Sequence, residues 1–381
     1  MPHIDKPDRI EIVDALRGFA LLGLFLIHSI EYFELYWRNP EPSIIHDVMF
    51  FLFGGKAYAV FAMLFGLSFF IIMDRQARRG VDFSGRFLWR LTLLLAMGYL
   101  HGLLYDGDVL QVLALLGFIL VIVNRFSNRV VLVLSLLCIA QLPMIYKFAT
   151  AVAGQPGETP LHEALFPQTM EVFAHGSLTD VLRFNAWDGQ LTKWSFMLDS
   201  GRLMQLSGMF MWGLLLGRIG FFVQPDAFRR QRNVGLVIAL VATVALYVLK
   251  RRITPLEQLL DNYFSAALVA FGVLLFTTVY QETPLRRLMN LLAAGGRMSL
   301  TMYISQAVLC VPMYYGFGLG LYATIGQPRA LLLGIVMFSL QLAFARWWLQ
   351  RYHYGPLEWV WRSATYLTWN VPLRRAAPVV A

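Results

Sequence analysis

The sequence predicts an all-α, polytopic integral membrane protein of about ten transmembrane helices with both termini in the cytoplasm, and three observations carry that prediction. Of the 381 residues, 58% are hydrophobic and only 14% charged, too few charged groups to cover a water-soluble domain of this length. The apolar runs are about twenty residues long, enough for a helix to cross a hydrocarbon core of roughly 30 Å. They are also continuous rather than alternating, which argues against a closed β-barrel.

Taken in order, the runs lie near 12–31, 50–73, 87–104, 108–124, 130–149, 201–219, 233–249, 259–279, 295–313 and 330–348. The first contains VDALRGFALLGLFLIHS (13–29). It carries internal charges, lacks a small-residue cleavage site after it and leads into further spans, so it reads as a retained helix rather than a signal peptide. Cys138 and Cys310 each sit inside an apolar run, which suggests packing residues rather than a disulfide or a thiolate metal site.

Orientation follows from the basic connections. RQARRGVDFSGR (75–86), NRFSNR (124–129), RIGFFVQPDAFRRQR (218–232) and PLRR (284–287) alternate with less basic segments and are expected inside. The termini join them, the first through Lys6 and Arg9, the last through Arg351, Arg362, Arg374 and Arg375. KRR at 250–252 falls on the outer side against this rule. The net charge of +9 is then mostly a topology signal and gives no reason to expect nucleic acid as a partner.

The outer face would hold 32–49, the HGLLYDGD turn (101–108), a turn near 314–328 and a long loop from about 150 to 200. That loop mixes aromatic and acidic residues and is too apolar for a free linker, so interfacial helices or a cover over a site are expected. Residues 1–381 show no tandem repeat and read as a single transmembrane domain.

Ionisable residues inside such spans usually face a protein interior or a water-filled passage. Arg17 and His28 are eleven residues apart, which returns them to one helix face about 16 Å apart along the axis. Arg90 and His101 repeat that spacing in the third span. Asp106 and Asp108 follow His101 in a glycine-containing turn. Such a group suits a general base whose tautomer a carboxylate fixes. Two carboxylates and one histidine in that turn are a weak metal signal, and no metal is expected there or elsewhere. Asp199 with Arg202, and Arg297, are the further polar residues expected to matter, the first two toward the outer side. The ordinary alternative, with Arg17 snorkelling, Asp14 capping or pairing with it and His28 satisfied at an interface, fits the same residues.

Several stretches resemble the YeiB-like family of bacterial membrane proteins, a domain of unknown function (418). They are RIEIVDALRGFALLGLFLIHS (9–29), FGGKAYAVFAMLFGLSFF (53–70), HGLLYDGDVLQVLALLG (101–117), AAGGRMSLTMYISQ (293–306) and YGPLEWVWRSATY (354–366), spread in order along nearly the whole chain. Many members have asparagine where this chain has His28, which points to histidine chemistry in this member. The family is in turn distantly similar to membrane acyltransferases, among them acyltransferase family three and heparan glucosaminide N-acetyltransferase. In the former, an arginine and a histidine separated by ten residues on the first helix are the functional pair, and Arg17 and His28 match that spacing.

The resemblance implies an acyl-coenzyme A-dependent transferase of a bacterial inner membrane. It would move an acyl group, in the simplest case acetyl, from the cytoplasm to a hydroxyl or amine of an envelope saccharide or similar acceptor at the outer face. Coenzyme A phosphates would meet some of Arg17, Arg90 and Arg297. His28 or His101, with Asp106 and Asp108, would take the acceptor's proton, or His28 would itself be acylated. Asp199 and Arg202 would serve the acceptor side. Beyond the lipid bilayer, a homodimer is compatible with this reading. Two other classes remain open: a transporter of a small solute or lipid-linked precursor, and a noncatalytic membrane scaffold.

Overall fold

In lipid every backbone amide and carbonyl must be met within the protein, so long apolar runs fold as helices. The computed structural model describes residues 9–152, 159–253 and 256–375. Lys6, residues 153–158 of the long loop and residues 254–255 of the basic connection lie outside the described residues. Among those described there is no β-strand, only an isolated bridge between Tyr352 and Arg374.

The helices run α1 (Glu11–Ile30), α2 (Ile44–Phe53), α3 (Lys56–Ala77), α4 (Ser84–Leu104), α5 (Leu110–Val123), α6 (Asn128–Ile139) and α7 (Leu142–Val152). Three helices, α8 (Leu161–Ala164), α9 (Phe166–His175) and α10 (Leu178–Asp199), occupy the long connection. Then come α11 (Arg202–Ile219), α12 (Arg229–Arg252), α13 (Glu257–Glu282), α14 (Arg286–Met289), α15 (Ala293–Arg297), α16 (Ser299–Tyr314), α17 (Gly326–Arg351) and α18 (Pro356–Tyr366).

Seven stretches are long and apolar enough to cross a membrane by length and composition: α1 with the turn after it, α2–α3, α4, α6–α7, α12, α13 and α17. The protein is thus all-α and multi-pass. The other three predicted runs correspond to shorter or more polar helices. α5 has 14 residues. α11 has 18, with Gln205 and Ser207 lowering its apolar character. The run near 295–313 is interrupted at Met298, so only the 16 residues of α16 continue through it. The outermost helix is α12, where Val237, Ile238, Val241 and Val244 are each more than half exposed, as lipid-facing residues are. At its end, Lys250 donates to Asp261 of α13 at 2.6 Å, so part of the discordant basic cluster is neutralised locally.

Glycines set the closest approaches. A Cβ on Gly213 of α11 would stand 1.8 Å from the Met63 carbonyl oxygen of α3, and one on Gly66 would stand 2.0 Å from that of Phe210. The contact of α1 with α15 is built alike: a Cβ on Gly18 would stand 2.1 Å from the Leu292 carbonyl oxygen, and one on Gly296 1.9 Å from that of Asp14. Without a hydrophobic drive between helices in lipid, such small-residue contacts supply the packing.

Gly213→Val is therefore expected to cost about 2 kcal/mol or more, through forced separation of α3 and α11. Gly272→Ala, with nothing within 4 Å of the added Cβ, should leave stability unchanged or raise it by about 0.5–1 kcal/mol. Thermal unfolding of both variants in detergent checks the contrast, and equal midpoints would refute the packing account.

Candidate functional site

α1 does not end on a glycine. Tyr32, Phe33 and Glu34 instead take left-handed backbone, with φ of 53°, 48° and 79°. Each such residue costs of order 1–3 kcal/mol. The turn is held by the Phe33 amide donating to the His28 carbonyl (2.7 Å) and the Tyr36 amide donating to that of Glu31 (3.0 Å). Its effect is to double the chain back, so that the Glu34 carboxylate lies 2.8 Å from His28 Nδ1. The Tyr105 hydroxyl donates to the same Glu34 oxygen at 2.7 Å and stands 2.9 Å from His28 Nδ1. These partners assign the proton of His28 to Nδ1.

His101, in the last turn of α4, has Nδ1 2.8 Å from Asp108 Oδ1, and both side chains are almost wholly buried. Asp108 Oδ2 accepts the Gln111 amide at 3.0 Å, at the start of α5. A carboxylate acceptor fixes the Nδ1–H tautomer, which leaves Nε2 with its lone pair, buried and without a partner. Tyr105 stands between the two histidines, its ring centroid 5.4 Å from His28 and 6.2 Å from His101. Tyr303 packs on His101 at 5.1 Å, and its hydroxyl accepts the Val109 amide at 3.0 Å. The structure thus brings His28, His101 and Asp108 into one cluster.

Asp106 does not bond His101. Burial first, and then the Glu34 charge, push its carboxyl up to about 7, while the Lys193 ammonium pulls the other way. Lys193 itself is lowered to about 8 by burial and donates to Gln190 Oε1 at 2.7 Å. Asp199 and Arg202 are not paired with each other among the described residues: Asp199 accepts from Lys147 (2.5 Å) and from Ser195 Oγ (3.1 Å), while Arg202 stacks over Phe196 at 4.8 Å.

At the other end of the bundle the three predicted arginines converge. Arg17 donates to Ser68 Oγ at 2.7 Å and to the Gly296 carbonyl at 3.3 Å, and pairs with Asp14 at 3.2 Å. Arg9 shares Asp14, at 2.7 Å. Arg90 lies 3.5 Å over the Trp361 ring, and Arg297 keeps a buried Nε without a partner. Together they line a cavity of about 320 Å³ with aromatic walls such as Phe61, Phe65 and Phe87, and Tyr303 also lines it. Its one carboxylate among the described residues, Glu358, is occupied: it accepts the Leu300 and Thr301 amides at 2.8 and 3.1 Å, capping α16 from α18.

The sequence alone singles out none of Glu31, Glu34, Tyr105 and Tyr303. The spacing His28, Glu31, Glu34 was the available signal, since it would put all three near one helix face if α1 continued.

Because the folded-state pKa of Asp106 is raised, its stabilising effect is complete below about pH 4 and is lost as pH rises through about 7. Asp106→Asn, which mimics the protonated form, should match wild type at pH 4 and exceed it at pH 8, by no more than about 4 kcal/mol. Unfolding midpoints in detergent at the two pH values test this, and a pH-independent difference would overturn it.

The family model described as Protein of unknown function (DUF418) matches residues 216–368. Over nearly its whole length the chain is also similar to bacterial proteins described as uncharacterized, two of which follow. One is Uncharacterized protein YxaH of Bacillus subtilis (strain 168), 27% identical over 396 residues that cover 95% of this chain and 96% of the relative. The other is Uncharacterized protein YeiB of Escherichia coli (strain K12), 27% identical over 409 residues that cover 98% and 99%. Residues 216–368 thus match the DUF418 family, within a helical multi-pass chain that is similar over nearly its whole length to YeiB and YxaH.

Proposed function

We propose that the protein is a membrane acyltransferase that takes an acyl group, in the simplest case acetyl, from cytoplasmic acyl-coenzyme A and passes it to a hydroxyl or amine at the opposite face of a bacterial inner membrane. One observation carries the reading: the cavity bearing Arg9, Arg17, Arg90 and Arg297 is also lined by Tyr303, and Tyr303 packs on His101, whose Nε2 is buried and unpartnered. Guanidinium groups suit the phosphates of the donor, and the aromatic walls suit its apolar arm. A cavity of about 320 Å³ takes that arm and leaves the nucleotide at the basic mouth.

In this reading the acceptor approaches from the His28 end. His101 Nε2 takes the acceptor proton as the acceptor oxygen or nitrogen forms its bond to the thioester carbonyl carbon. The Tyr303 hydroxyl, whose oxygen already accepts from Val109, has its proton free for the oxyanion. Collapse breaks the carbon–sulfur bond, and the departing thiolate of coenzyme A receives the proton held by His101. Asp108 keeps the imidazole in the required tautomer, while Tyr105 and Glu34 hold His28 on the acceptor side. Asp199 and Arg202, lying apart from this cluster, belong to the rim of the acceptor approach in this reading.

Transfer from labelled acetyl-coenzyme A should be seen with purified protein in lipid, and His101→Ala should lower turnover by about 10²–10⁴-fold while the fold is kept. Arg297→Gln should weaken coenzyme A binding about tenfold, or ~1.4 kcal/mol. Folded wild-type protein that binds no acyl-coenzyme A would sink the proposal and favour transport.

A further inference from the structure

The strained turn after α1 gathers more than a hydrogen-bond network. His28, Glu31 and Glu34 each place a ligand atom within 4.8 Å of the others. His46, from the start of α2, comes to the same place, with Nε2 3.9 Å from Glu31 Oε1. Its ring is clamped between Tyr36 and Phe50, with centroids at 4.7 and 5.2 Å, so its direction is fixed. That Nε2 is buried and has no hydrogen-bond partner, and neither does Glu34 Oε2.

The charge balance is the second argument. Glu31, 7% exposed at its side chain, and Glu34, 28% exposed, have only imidazoles as ion-pair partners among the described residues. The Arg202 guanidinium lies over the Phe196 ring and forms no ion pair with either glutamate among the described residues, although its charge is felt at Glu31. Two adjacent carboxylates in such surroundings need either two protonated histidines or a dication. The outer hydrogen bonds are those that orient metal ligands: Trp37 Nε1 donates to Glu31 Oε1 at 2.8 Å, and the Tyr105 hydroxyl donates to Glu34 Oε1.

We propose that His28, Glu31, Glu34 and His46 form a binding site for a divalent transition-metal cation of the zinc type. Two imidazoles and two carboxylates are a donor set that suits such an ion. The ligand atoms of His28, Glu31 and Glu34, which lie within 4.8 Å of one another, and His46, which reaches the group through Glu31, have to draw together to give bonds of about 2.0–2.2 Å, through rotation of the glutamate side chains. The His28–Glu34 hydrogen bond gives way to the metal, while the Tyr105 and Trp37 contacts persist. The inference is independent of acyl transfer, although an ion here would sit on the acceptor side of His101.

The test is zinc binding to tag-free, chelator-stripped wild-type protein in detergent, followed by calorimetry and by the thermal midpoint. Saturable binding of one equivalent with a raised midpoint is expected, weakened at least tenfold in Glu34→Gln and in His46→Gln and lost in the Glu31→Gln/Glu34→Gln double variant. Cobalt should report the site separately, through a visible absorption band that only the wild type develops. No saturable equivalent in folded wild type overturns the proposal, as does undiminished affinity in the double variant. Neither readout involves acyl transfer, so failure here leaves that reading standing and the reverse holds too.

Discussion

A guanidinium held inside an apolar bundle is the constraint on which the rest of this structure depends. Its charge cannot be left to hydrocarbon, and Arg17 is met from three directions: Asp14 on its own helix, Ser68 on α3 and the Gly296 carbonyl on α15. The last is within reach because Gly18 and Gly296 allow α1 and α15 to touch backbone to backbone. Ser68 is itself tied to the Leu64 carbonyl at 2.6 Å. The register of α1 is therefore fixed at this end, and His28, about three turns further on, is delivered to the other without freedom to slide.

The two imidazoles gathered around Tyr105 are served differently. Asp108 belongs to the opening of α5 and is anchored by a backbone amide, so His101 has a rigid partner. Glu34 sits on left-handed backbone that non-glycine residues rarely adopt. What offsets that cost is Phe33, whose ring is almost completely buried and packs 5.2 Å from Tyr105, 5.8 Å from Tyr314 and 6.4 Å from Phe25. The same aromatic nest that pays for the turn also fixes the phenol linking the histidines.

Much of the fold was legible because apolar length and charge placement are direct consequences of the bilayer as solvent. The Arg17/His28 and Arg90/His101 spacings were readable for the same reason, since a helix turns spacing into depth and face. What could not be read was the turn: Tyr-Phe-Glu carries no glycine or asparagine to announce left-handed backbone, so Glu34 had no visible route back to His28. Asp199 and Arg202 show a different limit. Closeness in sequence suggested a joint role, but the helix break at Gly201, with φ of 71°, sends their side chains to different partners.

Glu358 and Trp361 stand on α18, yet they complete structures begun far earlier in the chain. Glu358 supplies the acceptor for the first amides of α16, and Trp361 covers Arg90 while donating to its carbonyl across 271 residues. During synthesis, then, the helices carrying the arginines enter the membrane with one wall of their chamber still unmade. The chamber is therefore complete only once α18 has packed against α4 and α16.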